Sequence, residues 1–202
     1  MKILVTGFGP FDKFRSNPAE VLAEYLSGEF SEVEHAVLPV VYGEARGALL
    51  QEIGRRGPDA LVSFGLNGTI GHVNLEEIAL NIRSSEVPDN TGRKLEDTPV
   101  IHGGELALRS SLPLKDIRDR LRGEGIPARS SYSAGVYLCN EVFYTGAEWA
   151  NRGNKKSGFI HIPMATEMIA DSPELYRTPH MPMGTIRKAG RIVIEELLKH
   201  VR

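Results

Sequence analysis

The sequence predicts an α/β fold in which helices cover both faces of a mostly parallel, twisted sheet. Two observations carry that prediction. Short apolar runs alternate with amphipathic stretches along the 202 residues, and such alternation implies crossover connections and parallel pairing. The runs DALVSFG (59–65) and SGFIHIP (157–163) are apolar almost throughout, as strands covered on both faces are. No repeat, linker or low-complexity tract interrupts the pattern, so residues 1–202 read as one domain.

The elements follow in order. KILVTGF (2–8) is a β-rich run stopped by Gly and Pro. NPAEVLAEYLSGEF (17–30) opens on Asn then Pro, a helix start. VEHAVLPVVY (33–42) reads as a strand pair or a bent strand, because Pro39 interrupts it. EARGALLQEIGRRG (44–57) reads as a helix, DALVSFG as a buried strand and EIALNI (77–82) as a further strand. IRDRLRGEG (117–125) ends a helix, and IPARSSY (126–132) leads into a strand. GVYLCNEVFYTGAEWA (135–150) carries a helical apolar stripe, SGFIHIP is a buried strand, and residues 186–202 form a terminal helix. Residues 83–113 break the rhythm with PDNTG, TP, GG and LP. Those are turn signals, and so long a connection is usually functional or mobile.

Composition excludes several classes of function. A net charge of −2 gives no general pull toward nucleic acid or anionic membrane. No apolar run approaches the roughly 18 residues of a membrane span, and MKILVTGFGPF is too soon interrupted for a signal peptide. A single cysteine forms no internal disulfide and no multi-thiolate metal site. A soluble cytoplasmic protein is expected.

That cysteine, Cys139, lies in SAGVYLCNEV (133–142). Position alone leaves two readings. Leu138, Val142, Phe143, Gly146, Ala147 and Ala150 form an apolar helix face, and Cys139 beside it suits a core thiol. Gly135 also allows a tight turn into the helix, which would put Cys139 near a helix N-terminus, where the dipole favours thiolate. A thiolate nucleophile needs a general base. Of the six histidines, His161 is mid-run in FIHIP, near the carboxyl end of a buried strand. If that strand neighbours the one feeding Cys139, the two groups meet. His72, His102 and His200 are expected to face solvent. Glu76 and Glu77 are candidates to orient an imidazole, and strand alternation sends them to opposite faces without choosing between them. GFGPF (7–11) lacks the GxGxxG and GKS/T signatures of nucleotide loops. GLNGTIGH (65–72) is a plausible active-site loop, and Phe8, Phe11 and Phe14 suit either a pocket or the core.

VTGFGPF, Asn17-Pro18, LPVVYG, PDALVSFGL, EEIALNI, VPDNTG, SLPLKDI, GIPARSSYSAGVYLCN and SGFIHIP occur in this order. Together they make the chain resemble the pyroglutamyl peptidase I, or pyrrolidone-carboxylate peptidase, family of cysteine peptidases, nearly end to end. The resemblance implies a three-layer α/β/α sandwich, a cytosolic location, a homo-oligomer (tetramer or dimer) and no cofactor. It implies removal of an N-terminal pyroglutamyl residue from peptides. The LCN block makes Cys139 the nucleophile, and the FIHIP block makes His161 the general base and acid. The family's acid stands three residues before the Ala here numbered Ala79, which selects Glu76. A lactam pocket is implied at Phe8, Phe11, Val40, Val87, Tyr137 and Leu138, with main-chain groups near Leu66 bonding the lactam amide and with Asn17, on the family's Asn-Pro, among the substrate contacts.

The chain departs from the family in three places. Asp12-Lys13 replaces a Gly pair, Glu77 replaces an Arg, and Glu86 stands where an Arg helps hold the oxyanion. A carboxylate facing that oxyanion would oppose catalysis, since losing one such donor costs on the order of 10²–10³ in rate. Arg83 and the backbone N–H of Cys139 are the remaining candidate donors. Two other readings stay open: an inactive pyroglutamate-binding homologue on the same scaffold, and a different α/β enzyme of nucleoside phosphorylase type with Cys139 in its core.

Overall fold

The computed structural model describes residues 1–11, 14, 16–170 and 172–200. The Asp12-Lys13 departure lies outside the described residues. Six strands form the central sheet in the order β2-β1-β3-β10-β4-β9. They are β1 (Ile3–Phe8), β2 (Val33–Leu38), β3 (Ala60–Leu66), β4 (Val73–Glu76), β9 (Ala128–Ser131) and β10 (Lys156–Ile162). β2, β1, β3 and β10 run parallel to one another, while β4 lies antiparallel to β10 and parallel to β9. Three pairs of short strands lie outside the sheet. β5 (Ile78–Leu80) pairs with β8 (Ala107–Arg109), β6 (Arg83–Ser85) with β7 (Leu95–Thr98), and β11 (Met164–Ala165) with β12 (His180–Met181).

Helices α1 (Pro18–Glu29), α3 (Leu114–Gly123) and α6 (Met183–Lys199) pack together on one face. Helices α2 (Glu44–Arg56) and α4 (Leu138–Gly153) cover the other, and α5 (Thr166–Ile169) is a single turn after β11. Two cores result, one on each side of the sheet. Ile160 and Ile162 of β10 enter the α1/α3/α6 core, and Phe159 enters the α2/α4 core. This is period-two alternation on a strand covered on both faces. Each buried Leu, Ile or Phe contributes about 1.5–3 kcal/mol, so the three layers are the expected α/β/α sandwich.

Three expectations need correction. EIALNI is not one strand: Glu76 ends β4, and β5 begins only at Ile78 in a separate ribbon. The acids therefore sit at a strand exit, not at its entrance. The strand feeding Cys139 does not neighbour β10, because β4 lies between them. Residues 83–113, read as loop, contain β6, β7 and β8. Their turn residues hid strands of three and four residues, too short to show a period.

Candidate active site

The site is built where β1 and β3 part. Their pairing runs only from Ile3↔Ala60 to Thr6↔Ser63, after which β1 continues along β2 and β3 along β10. The carboxyl ends of β1 and β3 thus splay apart at the point where the chain reverses its winding, the usual ligand crevice of such sheets. A cavity of about 240 Å³ fills the gap. Phe8, Phe11, Asn17, Val40, Leu66, Tyr137, Leu138 and Cys139 line it, joined by Phe14, Gly68 and Met164.

Cys139 reaches the cavity through α4. Gly135, at φ +75°, turns the chain into the helix, and Tyr137 is its N-cap. Cys139 is therefore the second helical residue. Tyr137 O accepts the N–H groups of Asn140 and Glu141. The N–H groups of Leu138 and Cys139 precede the first intrahelical donor, Asn140 N–H, as helix geometry requires. Helix α4 runs back over the sheet to enter β10, which brings its N-terminus above the carboxyl ends of β3 and β10 without strand adjacency. Gly65 makes that approach possible: a Cβ there would lie 2.9 Å from the Cys139 sulfur and 2.6 Å from Phe159 Cζ.

His161 lies directly across from Gly65 in the β3–β10 register. It is buried, and its Nδ1 donates to Glu76 Oε1 at 2.8 Å. Register explains which acid meets it. Glu76 is opposite Phe159 in the antiparallel pair, so it shares a face with Phe159 and His161 and forms the diagonal neighbour of His161. Glu77 points elsewhere and pairs with Arg109 at 3.3 Å. Phe159 packs edge-on against the imidazole, ring centroids 5.0 Å apart. Burial pushes the His161 pKa down. The charge and hydrogen bond of Cys139, then those of Glu76, outweigh burial and raise it to about 9. With Nδ1–H directed at Glu76, Nε2 is the ring nitrogen left to interact with Cys139.

Asn17 is buried and holds two cavity walls together. Its Oδ1 accepts Ala19 N–H at 3.0 Å as the α1 cap, and its Nδ2 donates to Gly9 O at 3.0 Å. Tyr137 packs against Phe11 and Tyr42 and donates its hydroxyl to Pro88 O at 3.0 Å.

Two expected site residues stand elsewhere. Val87 is half exposed and does not line the cavity; the neighbouring Pro88 reaches Tyr137 through its carbonyl instead. Arg83 also does not line the cavity. Its Nη1 donates to Glu141 Oε1 at 2.8 Å and its Nη2 to Pro99 O at 2.8 Å. Glu86 does not oppose an oxyanion: its side chain is fully exposed, 3.6 Å from Lys94 Nζ. His102 and His200 are exposed as expected, whereas His72 is half buried with Nε2 shielded from solvent. Gly68 and Met164 were not foreseen as lining residues. The first belongs to the GLNGTIGH loop and the second follows FIHIP, so their places after strand ends were the available signal. Among the described residues no cluster of three or more His, Cys, Asp and Glu side chains could hold a metal ion, and no helix is long and apolar enough to cross a membrane.

A helix-borne thiol, a buried imidazole and a buried carboxylate in sequence at the carboxyl end of an α/β/α sheet define the arrangement of a cysteine hydrolase. A family model described as pyroglutamyl peptidase matches residues 1–200. A curated pyrrolidone-carboxylate peptidase of Pyrococcus furiosus is 39% identical, over 98% of this chain and 100% of its own. One of Treponema denticola is 34% identical, over 99% of this chain and 94% of its own. A crystal structure of a mutant pyrrolidone carboxyl peptidase from P. furiosus superposes with a TM-score of 0.93 at 36% identity, covering all of both chains. This chain belongs to the pyroglutamyl peptidase family.

Proposed function

We propose that the protein is a cysteine peptidase that removes an N-terminal pyroglutamyl residue from peptides. The observation that carries this reading is the placement of Cys139 in the wall of an apolar cavity, with His161 and Glu76 behind it. Pyroglutamate has no N-terminal charge, so its lactam suits such a cavity. An ordinary amino terminus would bring an unpaired ammonium into it, a costly burial.

The Cys139 thiolate attacks the carbonyl carbon of the pyroglutamyl peptide bond. A C–S bond forms and the carbonyl pair moves to oxygen, which the free N–H groups of Leu138 and Cys139 hold. When the intermediate collapses the C–N bond breaks, and the imidazolium of His161 gives its proton to the departing amine. His161 then takes a proton from water as the water's oxygen adds to the thioester carbon. The C–S bond breaks, pyroglutamate leaves, and the thiolate–imidazolium pair is restored. Glu76 holds the imidazole by Nδ1 throughout and stabilises its charged form.

The chain acts as one domain without a cofactor, in the cytoplasm, and assembles as a dimer or tetramer; light scattering of the pure protein tests the assembly. Hydrolysis of a chromogenic pyroglutamyl amide tests the activity. Wild type should hydrolyse it, and Cys139→Ala should lose nearly all turnover while melting as a folded protein. Binding of pyroglutamate without turnover by wild type, or activity retained by Cys139→Ala, would refute the proposal.

A further inference from the structure

Glu141 is a carboxylate with no exposed surface, two residues after Cys139 in the first turn of α4. Its Oε1 accepts Arg83 Nη1 at 2.8 Å, and its Oε2 accepts the Gly43 N–H at 3.3 Å. Arg83 opens β6 and anchors the base of the β6–β7 hairpin. Its Nη2 donates to Pro99 O at 2.8 Å, and Ser84 N–H bonds Val136 O at 2.9 Å, just ahead of α4. The hairpin's far end is fastened to the cavity rim. Asp89 Oδ2 accepts Tyr42 N–H and Asn90 N–H donates to Val40 O, each at 3.0 Å. Asn90 Nδ2 donates to Pro10 O at 3.0 Å, and Pro88 O accepts the Tyr137 hydroxyl. One hairpin therefore joins the nucleophile's helix to the walls of the cavity beside it.

We propose that Arg83 and Glu141 are a positioning pair whose largely buried ion pair holds this hairpin against the first turn of α4 and keeps the cavity rim in register with Cys139. The inference rests on the reading of Cys139 as the nucleophile. Burying two charges gives little net stability, yet removing one partner leaves the other stranded and disrupts its surroundings strongly. An uncompensated Glu141 would seek water, and the route to water lies through the hairpin base. Arg83 thus serves the reaction through Glu141 and not by touching the oxyanion, since it does not line the cavity and its terminal nitrogens point to Glu141 and Pro99.

The test compares Arg83→Met, Glu141→Gln and the double variant. It measures kcat and KM on a pyroglutamyl amide, melting temperature, and the alkylation rate of Cys139 by iodoacetamide. Arg83→Met should melt lower, raise KM and lower kcat/KM by about 10²-fold, the scale of an ångström-sized misplacement. Adding Glu141→Gln removes the stranded charge while keeping an acceptor for Gly43 N–H. It should restore melting and bring kcat/KM to within about tenfold of wild type, a non-additive rescue. A double variant as impaired as Arg83→Met, with KM and melting unchanged in both, would overturn the proposal and make Arg83 a direct transition-state donor. If wild type hydrolyses no pyroglutamyl amide, the peptidase reading fails by itself. The pair is then judged on melting and alkylation, where rescue by the second substitution supports it and absence of rescue overturns it.

Discussion

Gly65→Ala isolates the geometry on which the site depends. The new methyl would sit 2.9 Å from the Cys139 sulfur and 2.6 Å from Phe159 Cζ. Regaining an ordinary contact of about 3.5 Å requires shifts of roughly 0.6 Å for the sulfur and roughly 0.9 Å for the ring. Phe159 is fully buried between β3 and α4 and packs edge-on against His161, so ring movement also disturbs the imidazole. Overpacking of this kind costs about 1–3 kcal/mol, which lowers the melting temperature by about 2–4 °C per kcal/mol in a chain of this size. The catalytic loss should be much larger in proportion, about 10²-fold in kcat/KM, because a displaced thiol and imidazole no longer align. Steady-state hydrolysis of a pyroglutamyl amide and a thermal melt of the same sample give both numbers. A variant that keeps kcat/KM within about twofold of wild type would refute the placement of the sulfur against the end of β3.

Three further outcomes are expected. Asn17→Ala removes the α1 cap and the bond to Gly9 O, and should destabilise the protein by about 1–2 kcal/mol in a denaturant titration. Tyr137→Phe loses the hydroxyl bond to Pro88 O; a net hydrogen bond of about 1 kcal/mol predicts a KM roughly fivefold higher with kcat little changed. The His161 pKa stands at about 9 against an ordinary 6.5: burial lowers it, and Cys139 and then Glu76 raise it above that value. A group raised on folding stabilises fully below its unfolded pKa and loses that contribution as pH climbs through the folded one. Melting temperature should therefore fall as pH passes from 6.5 toward 9, whereas kcat/KM should hold until pH nears 9 and fall beyond it. The fall in melting temperature should be smaller in Cys139→Ser, which lacks the leading raising group.

Patterns that depend on neighbouring residues were readable in the sequence. The Asn17-Pro18 start of α1, the continuous apolar runs of β3 and β10, and Gly135 ahead of α4 all express local chemistry, and each stands where it was expected. The Phe8 and Phe11 pocket was readable only as one of two outcomes, because apolar residues after a strand suit a cavity and a core equally. What stayed hidden depends on long-range pairing. β4 is four residues long and inserted between β9 and β10, and nothing in VNLE announces a strand antiparallel to its partner. Arg83 was legible as a cation near the site, but its partner Glu141 lies 58 positions away. An acid beside the apolar helix stripe was the only hint, and a first-turn acid is usually explained by the helix dipole.

The antiparallel insertion of β4 has a chemical consequence. Were β4 parallel to β10, its carboxyl end would lie beside the carboxyl end of β10, and its last residue would stand level with the strand's exit into solvent-facing loops. Running the other way, β4 ends deeper in the sheet, with Glu76 opposite Phe159, two residues behind His161. The carboxylate therefore approaches the imidazole from the buried side while the thiol on α4 approaches from the open side. Shielding from water strengthens the Glu76–His161 bond, and the unpartnered Oε2 of Glu76 leaves the anion dependent on His161 for its compensation. The same diagonal register that separates Glu76 from Glu77 thus also sets the order of the three groups, carboxylate innermost and sulfur at the cavity. A one-residue slip of β4 would turn Glu76 to the α1/α3/α6 face and bring Glu77 toward the imidazole. Two-residue periodicity, which left both acids as candidates, becomes decisive once the pairing partner is fixed.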